Sequence, residues 1–237
     1  AAVALKPQQQ VNKKLDIQQN ILRAAGLLPE DSNQSADGKS VDELFSQFQV
    51  LAVELDTGKV LADYPIDGYD PIKAAREPSL SRDLNGDEDV AVLGRRENVS
   101  LVYLLVDDKG DTQTVVIPVR GYGLWGTLYG YLALAGDARS TLGLGFYDQK
   151  ETPGLGGEVV NPKWKAQWDG VRLYDDAGVP AVSLVKSRAP SGSAKAAYEV
   201  DALSGATLTT RGVENLVNFW TGELGFGPYL NKLRASS

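Results

Sequence analysis

The 237-residue chain has no histidine, no cysteine and no methionine. Without histidine or cysteine there is no Ser-His-Asp relay, no thiolate nucleophile, no zinc site of the usual ligand sets, no iron–sulfur cluster and no His- or Cys-ligated haem. Most hydrolase, protease and metalloenzyme readings fall away. What remains is carboxylate, lysine, tyrosine or Ser/Thr chemistry, or chemistry supplied by an organic cofactor that the protein positions. The absence of cysteine fits any redox compartment and does not choose between them. The absence of methionine means that no initiator residue opens the sequence, so Ala1 reads as a processed end, a cut end or an engineered start.

Positive charge is also short. Lys and Arg number 24 against 31 Asp and Glu, a formal net charge of −7. No cationic field of the kind that holds a phosphate backbone is available overall, and nucleic acid is not expected as a partner. No stretch approaches the ~20 apolar residues of a membrane-spanning helix. The densest runs, Val99–Val106 and Leu124–Ala135, are strand length or broken by glycine, and Ala1–Leu5 is a fragment. With 43% apolar and 23% charged residues the composition is that of a soluble globular protein.

Helical spacing of Val11, Leu15, Ile21, Leu22 and Ala25 predicts an amphipathic helix over Gln8–Leu28, stopped by Gly26 and Pro29. A polar loop follows to Ser40, then a short helix over Val41–Phe48 and a hairpin of Gln49–Leu55 and Val60–Tyr64 around a D-x-G turn. Residues 67–96 read as exposed loop with one helical turn near Ile72–Arg76. The middle is strongly β: Val99–Val106, Thr112–Arg120, Leu124–Ala135 and Ser140–Asp148 form four strands joined by short loops, for which antiparallel pairing is natural. A helix containing Trp164 and Trp168, strands at Val171–Tyr174 and Ala181–Lys186, a Ser/Gly/Ala loop at 189–197, a helix over Thr207–Thr221 and a last helix after Pro228 complete the reading. The class is α+β, largely antiparallel sheet flanked by helices. The expected divisions are 1–40 (helix and linker), 41–98 (a small α+β unit) and 99–237 (the main domain).

Four segments suggest chemistry. Gly121-Tyr-Gly-Leu-Trp-Gly126 matches G-x-G-x-x-G, but the residues after it alternate like a strand, whereas a dinucleotide fingerprint needs a helix there. A sheet bend that exposes Trp125 is the better reading. Asp83–Asp89 resembles the start of a calcium loop, yet the sixth position is Glu88 and the twelfth Gly94, which excludes an EF-hand. Glu151-Thr-Pro-Gly-Leu-Gly-Gly-Glu158 is a glycine-rich loop after a strand; its backbone can approach a planar or phosphate-bearing ligand, with Leu155 against a ring face. Asp201-Ala-Leu-Ser-Gly-Ala-Thr207 sets Ser204, Thr207, Thr209 and Thr210 at a helix start, where unpaired N–H groups stabilise phosphate. A plain Ser/Thr cap is the competing account of the same residues.

The D-x-x-S-G-A-T segment ending at Thr207 resembles the acceptor signature of covalent flavinylation, in which a flavin transferase esterifies the phosphate of FMN to the final threonine. Together with Gly121–Trp125, Glu151–Glu158, Asn161-Pro-Lys-Trp164 and Phe219-Trp220 through Gly225-Phe-Gly-Pro228, it makes the chain similar over nearly its whole length to the C subunit of the sodium-translocating NADH:quinone reductase. That resemblance implies an FMN-binding domain with FMN held covalently through Thr207, Ser204, Gly205 and Ala206 leaving room for the phosphate, and Leu208 and Thr209 beside it. It further implies Thr152, Gly154 and Leu155 bordering the isoalloxazine, Trp125 packed near it, and Glu151 or Lys163 tuning its potential by charge. The role implied is an electron relay, not catalytic alone, that needs the other subunits of the complex. Maturation by the transferase and an N-terminal membrane helix missing from this sequence, with the domain on the periplasmic side of the bacterial inner membrane, are implied as well. Three alternatives remain: the G subunit of the related Rnf complex, which shares the acceptor signature; a non-covalent FMN-binding reductase module; and a cofactor-free interaction domain.

Overall fold

A computed structural model describes residues 2–236, with side chains from Gln9 onward. The elements run α1 (Ala2–Ala24), α2 (Val41–Phe45), β1 (Phe48–Glu54), β2 (Lys59–Val60), α3 (Pro71–Ala74), β3 (Ser81–Asp83), β4 (Arg95–Glu97), β5 (Val99–Val106), β6 (Thr112–Tyr122), β7 (Thr127–Ala135) and β8 (Thr141–Asp148). Then follow α4 (Pro162–Lys165), β9 (Ser183–Val185), β10 (Glu199–Asp201), α5 (Thr207–Thr221) and α6 (Gly227–Ser236), with short 3-10 turns between.

Six strands form one sheet in the order β2-β1-β5-β6-β7-β8, every neighbour antiparallel. β1 and β2 therefore share a sheet with β5–β8, across the expected division at 98/99. Side chains alternate between the two faces of each strand. Val115, Ile117, Val119, Leu128, Leu132 and Leu134 pack on one face with Trp168, Leu216, Val217, Trp220 and Phe226. Leu101, Tyr103, Val116, Tyr131 and Ala133 pack on the other with Ile21, Leu22, Val41 and Leu44. Because both faces are covered, the strands carry near-continuous apolar runs where a half-exposed sheet would alternate. Pairing of β6 with β5 reaches only Val116, two residues before Pro118, which has no N–H to donate to a ladder.

The first helix begins well before Gln8 and closes as expected, with Gly26 at φ +72° and the Leu27 amide donating to the Leu22 carbonyl at 2.9 Å. Among its described side chains Ile21 and Leu22 are fully buried, while Val11 and Leu15 are exposed. Ser40 and Glu43 build a reciprocal capping box on α2. Four readings are corrected. The hairpin β3–β4 lies inside the stretch read as loop, because Arg82, Asp83, Arg95, Arg96 and Glu97 mask the apolar alternation that marks a strand. Residues 171–174 make isolated bridges instead of a strand, between Gly170 and Pro180. β10 has no counterpart in the sequence reading, and it pairs parallel with β9. The Trp164–Trp168 helix divides into α4 and a 3-10 turn.

Candidate functional site

Residues 123–126 close the β6–β7 hairpin, with the Gly123 amide donating to the Gly126 carbonyl at 2.9 Å. This is the sheet bend expected of the glycine motif, and it leaves Trp125 62% exposed with Tyr122 and Leu124 exposed beside it. The following strand β8 leads into the loop from Glu151, and α5 lies across β6. The crossing is close: a Cβ on Gly212 of α5 would collide with the Tyr122 carbonyl and come within 3.0 Å of Gly123 Cα. Only glycine allows backbone to approach backbone in this way.

Glu151 ties these pieces together. It is 5% exposed, and its carboxylate accepts the Leu124 amide at 3.1 and 3.2 Å, the Trp125 amide at 3.0 Å and the Thr209 hydroxyl. Hairpin turn, glycine loop and first turn of α5 are thus joined through one side chain. Space for it comes from missing side chains: a Cβ on Gly123 would sit 2.6 Å from Glu151 Oε1, and one on Gly156 2.5 Å from Thr209 Oγ1 and 2.9 Å from Glu151 Oε2. Burying a carboxylate is costly unless donors replace its lost hydration, and here the donors are neutral.

The hydroxyl residues at the start of α5 divide into two kinds. Thr209 is 1% exposed and spent on Glu151, and Thr210 is 6% exposed with its hydroxyl accepting the Leu203 amide at 3.0 Å. Thr207, the first residue of the helix, is exposed, as are Ser204, Gly205 and Leu208. Ala206 stands at the cap position, buried, and no side chain caps the helix. The competing account of this segment as a Ser/Thr cap is therefore not what the structure holds. The first N–H groups of α5, which have no carbonyl a turn earlier to bond, face the Thr207 end without a side-chain acceptor.

Gly205 has φ +70°, and a Cβ there would come 3.0 Å from Leu155 Cδ2. The segment before α5 and the glycine loop therefore touch. Leu155 is 44% exposed, with Thr152 and Gly154 exposed beside it. The Thr152 carbonyl accepts the Leu155 and Gly157 amides, which shapes the loop. Lys163 is exposed on α4 and, among the described residues, makes no hydrogen bond or ion pair with them; its amide donates to the Asn161 cap at 2.9 Å. Gly123, Gly156 and Gly212 join the site only in the structure. Their signal in sequence is a glycine in each of three segments, without any indication of which neighbour it admits.

An FMN-binding domain family model matches residues 123–222, the span that holds the hairpin turn, the glycine loop and α5. The C subunit of the Na(+)-translocating NADH-quinone reductase of Pseudomonas aeruginosa is 51% identical over 236 residues, which cover 99% of this chain and 88% of that protein. The corresponding protein of Yersinia pestis is 43% identical over 235 residues, covering 99% of this chain and 85% of that protein. Among solved structures, Shewanella oneidensis NqrC superposes with a TM-score of 0.82 at 36% identity, over 94% of this chain and 99% of that one. The C subunit from Parabacteroides distasonis shares the fold, with a TM-score of 0.67 at 24% identity over 94% of each chain. With half its residues identical over almost its whole length, and with the same α+β architecture, the chain belongs to the family of the Na(+)-translocating NADH-quinone reductase C subunit.

Proposed function

We propose that this chain carries FMN joined by a phosphoester to the Thr207 hydroxyl and relays electrons within a sodium-translocating NADH:quinone reductase. The observation that carries the reading is the contrast among three threonines of one segment. Thr209 and Thr210 are buried with their hydroxyls engaged, while Thr207 is exposed at an uncapped helix start. An esterifying enzyme reaches an exposed hydroxyl, and the phosphate formed there lies against unpaired N–H groups at the positive end of the helix.

The surrounding residues fit such a group. Gly205 at φ +70° keeps side-chain atoms away from the phosphate, and exposed Leu155, Leu208 and Trp125 offer apolar surface to the rings. When bound, FMN supplies the redox chemistry; the chain anchors it, excludes water from part of it and holds the neighbouring backbone still. Glu151 does the last of these, since its carboxylate is turned inward on the Trp125 turn and Thr209. Lys163 is then the exposed charge available to act on the cofactor's potential. Covalent attachment suits a carrier whose site is this open, because it removes the need for tight enclosure.

Partners on this reading are the other subunits of the complex and, during maturation, a flavin transferase. The domain stands on the periplasmic side of the bacterial inner membrane, anchored by sequence outside the chain described; among the described residues no helix is long and apolar enough to cross a membrane. The test is intact-protein mass spectrometry after coexpression with the transferase. An added FMN-sized mass is expected in the parent protein and in Thr209→Ala, and its complete loss in Thr207→Ala. Flavin released by acid precipitation, or an added mass that survives Thr207→Ala, would overturn the assignment.

A further inference from the structure

Away from Thr207 and Leu155, a cleft of about 210 Å³ opens between α3, the 92–95 segment and the roots of β6 and β7. Its lining combines Arg76, Arg95, Arg120, Thr127 and Tyr129 with the apolar residues Ile72, Ala75, Val92 and Leu93. Three guanidinium side chains and no carboxylate line it, in a protein whose net charge is −7. Arg120 and Arg95 are held in place from behind. Glu97, fully buried, takes two of the Arg120 donors at 3.2 and 2.6 Å, and Trp220 lies 4.8 Å beneath the guanidinium. Arg95 donates to the Ser81 hydroxyl at 2.9 Å, to the Ser81 carbonyl at 3.2 Å and to Asp83, whose side chain is 81% exposed.

A guanidinium has five N–H donors. Each of these two arginines therefore keeps donors that no protein acceptor uses. Arg76 has no ion pair, and the hydroxyls of Thr127 and Tyr129 make no hydrogen bond, among the described residues. At the rim, Val92 sits at φ +56°, a conformation that β-branched residues rarely adopt and that tends to mark functional sites. Asp89 holds it there by accepting the Leu93 and Gly94 amides at 2.7 Å each.

We propose that this cleft binds a small organic anion, a carboxylate or a phosphate, between Arg76, Arg95 and Arg120. Arg76 supplies the uncompensated charge, and the two positioned arginines with the Thr127 and Tyr129 hydroxyls supply directional donors. The unengaged, planar Arg76 guanidinium fork matches the paired oxygens of either ligand class, and the apolar lining accommodates a short carbon body.

The test is titration calorimetry of the full chain with succinate and, separately, with inorganic phosphate, at fixed ionic strength because exposed charges are screened. Saturable binding of at least one is expected, weakened about tenfold in Arg76→Ala, roughly the loss of one charge-assisted contact. Tyr129→Phe should weaken it less. Arg76 is exposed, so its removal leaves the fold intact, checked by an unchanged circular dichroism spectrum. Which anion binds more tightly decides between carboxylate and phosphate. The absence of saturable binding by either, or binding that is unchanged in Arg76→Ala and so lies elsewhere, such as at the start of α5, would overturn the proposal.

Discussion

Glu97 and Glu151 are both buried carboxylates, and the two regions that hold them use opposite means. Glu97 is met by a full counter-charge, the fork of Arg120, with the Ser100 hydroxyl added at 3.0 Å. Glu151 is met by neutral donors alone, two backbone amides and one hydroxyl, drawn from a hairpin turn and a helix start. The first arrangement joins β4, β5 and β6 above the Trp220 ring. The second fixes the position of an exposed tryptophan relative to an exposed threonine. Where the partner is another charge, removing one member strands the other; where the partners are turn amides at the surface, water can replace part of what is lost.

That contrast is broken or sharpened by substitution. Glu97→Ala leaves Arg120 without its counter-ion, and a loss of about 3–5 kcal/mol is expected in urea denaturation. A cost no larger than that of an exposed ion pair would mean that the site is wet and the contrast false. Glu151→Ala should cost less, about 2 kcal/mol, because the freed amides lie in a turn that water reaches. It should also raise the mobility of Trp125, read as lower fluorescence anisotropy, and Glu151→Gln should restore part of both by keeping one acceptor oxygen. Equal costs for the two alanine variants would show that Glu151 is as much a core element as Glu97.

Gly212→Ala tests the contact on which the second region depends. The added methyl meets the Tyr122 carbonyl, so α5 must shift from β6, and a loss of about 1–3 kcal/mol with a changed near-UV spectrum is expected. The smallest effect concerns pH. Burial pushes the Tyr131 and Tyr103 hydroxyls well above the usual tyrosine range, and it pushes Tyr147 and Tyr229 up to about 12. A group whose pKa is raised by folding stabilises the native state below its unfolded pKa and loses that contribution as pH rises toward the folded value. Stability should therefore fall steadily above about pH 10. Absorbance titration should show these four tyrosines ionising only at higher pH or together with unfolding.

The legible parts are those written in local pattern. β5 and β6 declare themselves through apolar runs joined by the Asp107–Gly110 turn, and α5 through Val213, Leu216, Val217 and Trp220 on one face. Thr207 stands out through its seven-residue motif. β3 and β4 are hidden because their pairing rests on arginine and glutamate side chains, and the parallel partnership of β9 with β10 depends on a crossover that three-residue strands do not announce. For Glu151 the resemblance implies a charge that tunes the cofactor's potential, and nothing in the local sequence says how buried that carboxylate is. Its burial depends on Thr209, 58 residues away.

Periodicity, turn residues and the absent side chains determine, without the tertiary structure, that the chain is α+β, that it lacks thiol and imidazole chemistry, and that an S-G-A-T segment opens a helix. Folding alone decides which hydroxyl of that segment meets solvent, which carboxylate is shut in with neutral donors, and that Arg76, Arg95 and Arg120 converge on one cleft. The reason is that local pattern fixes the conformation of neighbours. Burial, charge pairing and the collision of a missing Cβ with a backbone belong to pairs of residues that only tertiary packing brings within reach.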